Sequence, residues 1–216
     1  MMRLLAMALI VFFGIPGISA ERYAEGRDED ALHITASHDH VIALKVDASR
    51  EFELRAGELV RSVQVFGNVG GVVTSDRMLA ISADAFEWQS MSLQAKEVAA
   101  EAYLSEQLIL FITHERIMAY DATLNSFISL NLAVGQNVVN QRVEREAAVA
   151  VTLRRAIGYA AGSAMFIEYG FNAGETFRDL QAAGGLLSVT TSTRTLLFQA
   201  STAEWREQAL PSRDRW

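Results

Sequence analysis

The sequence predicts an all-β fold built from one repeated unit of roughly 39 residues, a period in the range of known structural repeats. Its clearest mark is a threonine that recurs three times at one constant interval and is followed, three positions later, by an arginine. The threonines are Thr74, Thr113, Thr152 and Thr191, and the arginines are Arg77, Arg116, Arg155 and Arg194. Short apolar runs separated by gaps of turn length lie on both sides of each threonine, and such runs indicate strands.

Three further columns keep the same period. Sixteen residues before each threonine stands an acidic or amide side chain, in Glu58, Glu97, Gln136 and Glu175. Fourteen residues after it stands an aromatic, in Trp88, Phe127, Phe166 and Trp205, and nineteen after it a large apolar residue, in Leu93, Leu132, Phe171 and Leu210. A degenerate fifth copy precedes these four, because Thr35 lies one further interval before Thr74. Columns that hold over several copies without a gap are typical of a repeat protein.

Each unit contains four predicted strands. The apolar run before the threonine forms the first, the run after the arginine the second, the aromatic opens the third, and the acidic column opens a fourth, more polar one. In the second strand, Leu79 and Ile81 point to one face and the small Ala80 to the other, so both faces are apolar and predicted to be covered. Four short strands in about 40 residues, buried on both faces, are typical of a β-propeller blade.

The repeat resembles that of small β-propeller proteins in general, although the paired Gly-His and Trp-Asp signatures of WD repeats are absent. The interpretation is a five-bladed propeller of four-stranded antiparallel blades. The blades would span roughly residues 27–66, 67–105, 106–144, 145–183 and 184–210. The last unit is predicted to lack its fourth strand, which residues 21–26 would supply, closing the ring and removing exposed strand edges. The alternative is an incomplete ring that dimerisation completes.

The first twenty residues are predicted to be a secretory signal peptide, with Arg3 before an apolar run from Leu4 to Phe13 and small residues up to Ala20. The alternative is an uncleaved anchor. The mature chain would be a single domain, 21–216, without a membrane span, in the periplasm or secreted. It contains no cysteine, so its stability must come from a packed core and not from disulfides. The net charge of -7 and the lack of a basic cluster argue against nucleic acid as a partner.

The repeated arginines have two interpretations. In the structural one, each pairs with an acidic residue of its own blade: Arg77 with Glu97, Arg155 with Glu175, and Arg194 with Glu21 across the closure, while Arg116 faces Gln136. In the functional one, Arg77, Arg116, Arg155 and Arg194 form a ring that binds an anionic ligand on one face. The periodic aromatics are interpreted as packing between neighbouring sheets, and not as sugar-stacking platforms.

Catalytic and metal-binding candidates are few. The strands predicted to be innermost, those that end at each threonine, contain no Asp, Glu or His, so the hub offers no general acid or base of the kind a five-bladed glycosidase uses. The stretch containing His33, His38, Asp39 and His40 could supply metal ligands or be a solvated turn, and the His114–Glu115 pair is expected to be an exposed turn. No cofactor is predicted.

The predicted function is therefore a non-catalytic exported propeller that binds another envelope or secreted protein or serves as a scaffold. The alternative is a carbohydrate or anionic-polymer binder, and an enzyme is a third possibility. A carbohydrate binder should gather the non-periodic aromatics Phe66, Tyr103, Tyr169 and Trp216 into one exposed patch. A protein binder should carry a contiguous apolar area on one face.

Overall fold

The computed structural model describes residues 31–97 and 101–210, and in these ranges it contains nineteen strands and no helix. Sheet 1 comprises β1 (His33–Ala36), β2 (His40–Lys45) and β3 (Ala48–Glu53). Sheet 2 comprises β4 (Val60–Phe66), β5 (Val69–Thr74), β6 (Arg77–Ser82) and β7 (Gln89–Ser92). Sheet 3 comprises β8 (Glu101–Leu104), β9 (Leu108–Ile112), β10 (Arg116–Asp121) and β11 (Ser126–Asn131). Sheet 4 comprises β12 (Val138–Glu144), β13 (Ala147–Thr152), β14 (Arg155–Ala160) and β15 (Ile167–Gly170). Sheet 5 comprises β16 (Phe177–Ala183), β17 (Leu186–Thr191), β18 (Arg194–Gln199) and β19 (Glu204–Ala209).

Within each sheet the strands are antiparallel and follow one another in chain order. Sheets 2, 4 and 5 share one register: the residue that opens the first strand lies opposite the repeated threonine, as Val60 does opposite Thr74. The register then shifts in these sheets at the same repeat position, between Val60 and Ser62 in sheet 2. Five consecutive antiparallel meanders stacked on one another are the blades of a β-propeller, so the predicted all-β fold class is confirmed.

The blade boundaries differ from the prediction by one strand. The strand that follows each acidic column, such as β4 after Glu58, pairs with the strand after it and opens a sheet, whereas the sequence interpretation made it the fourth strand of the preceding blade. The predicted spans 27–66, 67–105, 106–144, 145–183 and 184–210 are therefore displaced from the sheets by one strand. The physical reason is the short connection between first and second strands, which in sheet 2 is only Gly67 and Asn68, because so tight a turn makes a hairpin.

The sheets pack face to face in the order of the chain. Two core clusters lie between sheets 1 and 2, and one each between sheets 2 and 3, 3 and 4, and 4 and 5. The second and third strands of sheets 2 to 4 are buried almost throughout, while the first and fourth strands are partly exposed. Burial of both faces explains why their sequences are continuous apolar runs.

The first strands of successive sheets lie against one another, β1 against β4, β4 against β8, β8 against β12, and β12 against β16. The prediction that the apolar strands β5, β9, β13 and β17 line the hub was therefore wrong. Those strands are sandwiched between neighbouring sheets, and the strands that converge are the more polar β4, β8, β12 and β16.

Close approach between sheets depends on glycine in the second and third strands. A Cβ atom on Gly158 of β14 would lie 2.6 Å from the Phe198 ring of sheet 5. Gly71 of β5 lies similarly beneath Ile109 and Phe111 of sheet 3, where a Cβ atom would approach to 3.2 Å and 3.3 Å. At Gly158 a side chain would force the neighbouring sheet outward, because interiors are close-packed.

Sheet 5 keeps a more polar face on its second strand. On the face of sheet 4 that meets sheet 5, β13 carries Ala147, Val149 and Val151, all buried. One repeat later, the corresponding positions of β17 are Leu186, Ser188 and Thr190, which are exposed or half-buried. Within the described residues, no core cluster covers this face of sheet 5.

Ring closure by residues 21–26 concerns residues outside the described ranges. Within those ranges, every core cluster joins sheets that are neighbours in the chain, and none joins sheet 5 to sheet 1. Sheet 5 contains its own four strands between 177 and 209, so the prediction that it lacks one was wrong. The described part of the chain includes no helix long and apolar enough to cross a membrane.

Candidate functional site

The repeated threonine and arginine enclose a buried carboxylate. In sheet 2, Nε and Nη2 of Arg77 donate to the two oxygens of Glu58 at 2.9 Å and 2.7 Å. The Thr74 hydroxyl lies 2.6 Å from Oε1, and the backbone N–H of Arg55 donates to Oε2 at 2.9 Å. The Thr74 oxygen also accepts the backbone N–H of Arg77, which closes the turn between β5 and β6. We call this unit the Glu–Thr–Arg latch.

The latch recurs in sheets 3 and 5 with nearly the same geometry. Arg116 donates to Glu97 at 2.9 Å and 2.8 Å, and Arg194 donates to Glu175 at 2.9 Å and 2.8 Å. In both sheets the threonine hydroxyl and a backbone N–H complete the carboxylate's shell. All three glutamates are buried, so each charge is both paired and fully hydrogen-bonded, as burial requires.

Each latch also ties its sheet to the preceding one. Nη2 of Arg77, besides binding Glu58, donates to the carbonyl of Glu53 at the end of β3 at 3.0 Å. Arg116 and Arg194 make the equivalent bonds to the carbonyls of Ser92 and Gly170. The guanidinium of Arg77 additionally lies over the Phe52 ring of sheet 1, 4.6 Å from its centroid. Arg77, Arg116 and Arg194 therefore each join two neighbouring sheets.

The hydrogen bonds of the latch keep the carboxylates ionised. Burial works to raise the pKa of Glu58, but the bonds from Arg77, the Arg55 amide and Thr74 outweigh it and lower the pKa to about 2. At Glu175, the Arg194 bonds are the largest influence and lower the pKa to about 2 despite burial. At Glu97 burial again acts to raise the pKa, and the bonds from Arg116, the Gln94 amide and Thr113 outweigh it and lower the pKa.

The sequence-based prediction assigned the glutamates to the wrong arginines. The structure pairs Glu97 with Arg116 and not with Arg77, and Glu175 with Arg194 and not with Arg155. The reason is that each glutamate precedes the first strand of the sheet whose third strand begins with its arginine. The predicted pairing of Arg194 with Glu21 involves a residue outside the described ranges, but Arg194 already binds Glu175 and Glu207.

Sheet 4 departs from the pattern. Gln136 occupies the position of the glutamate, and within the described residues neither its Oε1 nor Nε of Arg155 has a hydrogen-bond partner, although both atoms are buried. Nη1 of Arg155 instead contacts Glu168 on β15. The side chain of Arg155 is 19% exposed, against 8% for Arg116. The latch of sheet 4 therefore lacks its carboxylate, and we call it the open latch.

The periodic aromatics pack between sheets, as predicted. The Trp88 ring lies 6.1 Å from that of Phe52 in sheet 1, and its indole N–H donates to the carbonyl of Arg50 at 3.0 Å. Trp205 makes the equivalent bond to Ile167 at 2.9 Å. Bonds to the neighbouring sheet fix these rings in place, which argues against a sugar platform.

The expectation that Arg77, Arg116, Arg155 and Arg194 together bind an anionic ligand stays a prediction. The structure places all four on one rim, at the start of the third strands, where sheet-to-sheet connections also lie. Arg77, Arg116 and Arg194 already direct Nε and Nη2 to internal acceptors.

Among the histidine candidates, His33 and His40 begin β1 and β2, whereas His38 and His114 lie in turns. His40 lies 3.0 Å from Asp39 and 3.2 Å from Glu51, and His38 lies 3.3 Å from Asp39 on the exposed turn between β1 and β2. His114 lies 3.4 Å from its neighbour Glu115 in the turn between β9 and β10. Among the described residues no group of three or more His, Cys, Asp or Glu side chains is arranged to hold a metal ion.

A polar groove crosses the converging first strands. It has a volume of about 460 Å³ and is lined by residues of three sheets: Gln64 of β4, Ala102, Tyr103 and Leu104 of β8, and Gln141, Arg142 and Val143 of β12. Burial and a hydrogen bond to Glu101 raise the pKa of Tyr103 to about 12, so its hydroxyl stays protonated. This groove was not predicted from the sequence, because β5, β9, β13 and β17 were expected to line the hub.

No protein-family model and no curated protein matches the chain. Among solved structures, the WD40 domain of SCAP from fission yeast is similar in fold, with 9% identity over 85% of this chain and 54% of that one and a TM-score of 0.38. Hsv2p of Kluyveromyces lactis has 12% identity over 85% of this chain and 61% of its own, with a TM-score of 0.41. The extracellular domain of BT4673 from B. thetaiotaomicron has 10% identity over 89% of this chain and 29% of its own, with a TM-score of 0.37. The chain thus spans less than two thirds of each of these proteins.

Proposed function

We propose that the protein is a non-catalytic binding module that holds an extended segment of a partner protein in the groove across β4, β8 and β12. The groove's volume of about 460 Å³ lies within the usual range of ligand sites. Its walls combine hydrogen-bonding side chains with the apolar Ala102, Leu104 and Val143. This mixture suits a peptide, whose backbone is polar and whose side chains vary.

The observation that carries the proposal is the contrast between two kinds of repeat column. The latch positions are nearly identical in sheets 2, 3 and 5, because they hold the same architecture in each. The groove column varies among the three sheets that line the groove: Gln64, Tyr103 and Arg142 follow one another at one repeat period and occupy the same strand position. In sheet 5, outside the groove, the same position is again a glutamine, Gln181. In repeat proteins, recognition resides where the copies differ on a shared surface.

The side chains in the groove favour a protein over a glycan. Tyrosine and arginine are the residues that most often dominate binding energy at protein interfaces, and Tyr103 and Arg142 stand in neighbouring sheets of the groove. Of the aromatics that a carbohydrate site would gather, Phe66 and Tyr103 lie on the adjacent strands β4 and β8, but Tyr169 does not lie on a first strand. Tyr169 is on the fourth strand of sheet 4, where it packs 6.2 Å from Trp205 and donates to Glu207. Trp216 lies outside the described ranges.

The proposal is tested by affinity capture with the purified protein on native envelope extract, followed by quantitative mass spectrometry. We expect one partner to be enriched by the wild-type chain and depleted at least tenfold with Arg142→Ser. The matched control is Arg206→Ser, an exposed strand arginine on β19 and outside the groove, which should retain the partner. Direct binding of the purified partner to both variants then confirms the site.

Three results contradict the proposal. The first is a partner retained equally by Arg142→Ser and wild type. The second is a partner lost equally with both variants. The third is saturable binding to a glycan array that Arg142→Ser abolishes, which would establish the carbohydrate alternative instead.

We also infer that the module is exported and that its partner is an envelope or secreted protein. The support is the predicted signal peptide before residue 21. Fractionation of the native cells with N-terminal sequencing should give Glu21 as the first residue outside the cytoplasm. Recovery of the unprocessed chain in the cytoplasm would contradict this inference.

A further inference from the structure

We propose that the open latch of sheet 4 is a second binding site, which accepts a carboxylate side chain, next to an aliphatic one, from a partner protein. The site is formed by Gln136, Leu153, Arg154, Arg155 and the adjacent loop residue Val134. It lies on the rim where the third strands begin, whereas the groove residues of β12 lie toward the other end of that strand.

The first observation is the missing internal carboxylate. In sheets 2, 3 and 5 a glutamate receives Nε and Nη2 of the arginine. In sheet 4 the Nε of Arg155 has no partner within the described part of the chain, and Gln136 contributes an amide. Because Oε1 of Gln136 accepts no hydrogen bond from the described residues either, that atom does not hold the side chain against displacement. The complete latches of sheets 2, 3 and 5 therefore show that the group missing from sheet 4 is a carboxylate.

The second observation is a reversal of charge at the same turn. The residue before the latch arginine is Asp76 in sheet 2, Glu115 in sheet 3 and Thr193 in sheet 5, but it is the exposed Arg154 in sheet 4. Two adjacent arginines therefore mark this turn in a chain whose net charge is -7. Glu168 neutralises Arg155 only in part, because it remains 36% exposed and contacts Nη1 alone.

The third observation is exposed aliphatic surface beside the arginines. Leu153 is 74% exposed where the other turns carry Ser75, His114 and Ser192. Val134 is fully exposed where the other connecting loops carry Ala56, Ala95 and Ala173. Leucine thus replaces a polar side chain and valine replaces a smaller apolar one, so apolar surface lies in solvent beside the two arginines, and its burial against a partner would be favourable.

A hollow of about 430 Å³ lies next to these residues on the same rim. It is lined by the connecting loop from Asn131 to Gly135, by Gln94, and by the His114–Glu115 turn. It therefore offers space for an aliphatic side chain against Leu132 and Val134, in the loop that leads directly to Gln136. An acidic residue adjacent to an aliphatic one has this chemistry.

The experiment uses the whole protein and two matched dipeptides, acetyl-Leu-Glu-amide and acetyl-Leu-Gln-amide, and it follows the arginine Nε–Hε signals by NMR. The signal of Arg155 is assigned with Arg155→Lys. We expect the Leu-Glu peptide to shift this signal saturably and the Leu-Gln peptide not to shift it, because only a carboxylate matches the empty acceptor position. Sodium acetate at the same concentration serves as the free-anion probe.

The decisive variant is Gln136→Glu, which restores the residue found in the other three copies and should therefore fold. It supplies the carboxylate from within, so the peptide's apparent affinity should fall at least tenfold. Arg154→Asp, which restores the turn of sheet 2, should weaken binding several-fold. The proposal is overturned if the wild-type signal does not move, if both peptides move it equally, if acetate reproduces the whole effect, or if Gln136→Glu binds as well as wild type.

This site and the groove are separable. Arg142→Ser should leave the peptide-induced shift of Arg155 unchanged, and Gln136→Glu should leave capture of the groove partner unchanged. Loss of the groove partner with Gln136→Glu, or loss of the peptide-induced shift with Arg142→Ser, would contradict two separate sites.

Discussion

Replacing Glu97 with glutamine should open the latch of sheet 3 as Gln136 opens that of sheet 4. The Glu97 carboxylate accepts Nε and Nη2 of Arg116 at 2.9 Å and 2.8 Å, the Thr113 hydroxyl at 2.6 Å and the Gln94 N–H at 2.7 Å. Glutamine has the same shape but presents an NH₂ group to donors, and it leaves Arg116 buried without a counter-charge. Breaking one side of a buried pair costs about 3 kcal/mol or more.

The assay is urea unfolding followed by tryptophan fluorescence. With a slope of about 2 kcal/mol per M urea, a loss of about 3 kcal/mol lowers the midpoint by about 1.5 M. The control is Glu106→Gln in the same sheet, whose carboxylate is exposed and lies 3.4 Å from Arg145, so that its loss should cost about 0.5 kcal/mol or less. A midpoint for Glu97→Gln that matches that of Glu106→Gln would refute the latch as a stabilising element.

Three further predictions concern the latches and the packing between sheets 4 and 5. Gln136→Glu should raise the free energy of unfolding by about 1.5 kcal/mol, because it supplies a charged acceptor to Nε of Arg155; an unchanged or lower urea midpoint would contradict this. Gly158→Ala should lower the free energy of unfolding by about 1–3 kcal/mol, because the new Cβ atom would lie 2.6 Å from the Phe198 ring. The control Gly170→Ala should have little effect, because a Cβ atom there has no neighbour within 4 Å. Equal urea midpoints for the two variants would contradict the packing of sheets 4 and 5. The free energy of unfolding should fall as pH drops from about 4.5 toward 2. The folded-state pKa values of Glu58 and Glu175 are about 2, below the ordinary 4.5, so the stabilisation by these carboxylates is complete above pH 4.5 and is lost as they become protonated. Urea midpoints that stay constant over this pH range would contradict this expectation.

Much of the architecture was predictable because the repeated residues have the same structural role in each sheet. Threonine closes the turn between second and third strands in each of sheets 2 to 5, and arginine begins each third strand, so their common period marks the blades. The buried second and third strands were recognisable from their continuous apolar runs, and Trp88 and Trp205 were correctly assigned to packing.

The spacing of the repeat does not show which of its four strands opens a blade. Arg77 lies nineteen positions after Glu58 and twenty before Glu97, so the two candidate pairings have nearly equal separations. The signal that decides between them is local: the Gly67-Asn68 and Gly184-Gly185 dipeptides have positive φ at their glycines and predict tight hairpins joining first to second strands. With the phase displaced by one strand, the polar strands at the hub were assigned elsewhere, and the groove with them.

The site of sheet 4 was visible in the sequence only as a set of exceptions. Gln136 and Arg154 break the pattern of their columns by removing or reversing a negative charge, and Leu153 breaks a polar one. Their significance depends on contacts, since only the structure shows that Arg155 has a buried nitrogen without a partner among the described residues.

In sheets 2, 3 and 5, a glutamate bound to the arginine 19 residues after it stabilises the blade. A double-mutant cycle on the unfolding free energy measures this directly, with Glu97→Gln combined either with Arg116→Met or with Arg77→Met. This pairing predicts a coupling of about 2 kcal/mol for Glu97 with Arg116 and a value near zero for Glu97 with Arg77. Coupling of Glu97 to Arg77, or to neither arginine, would contradict it.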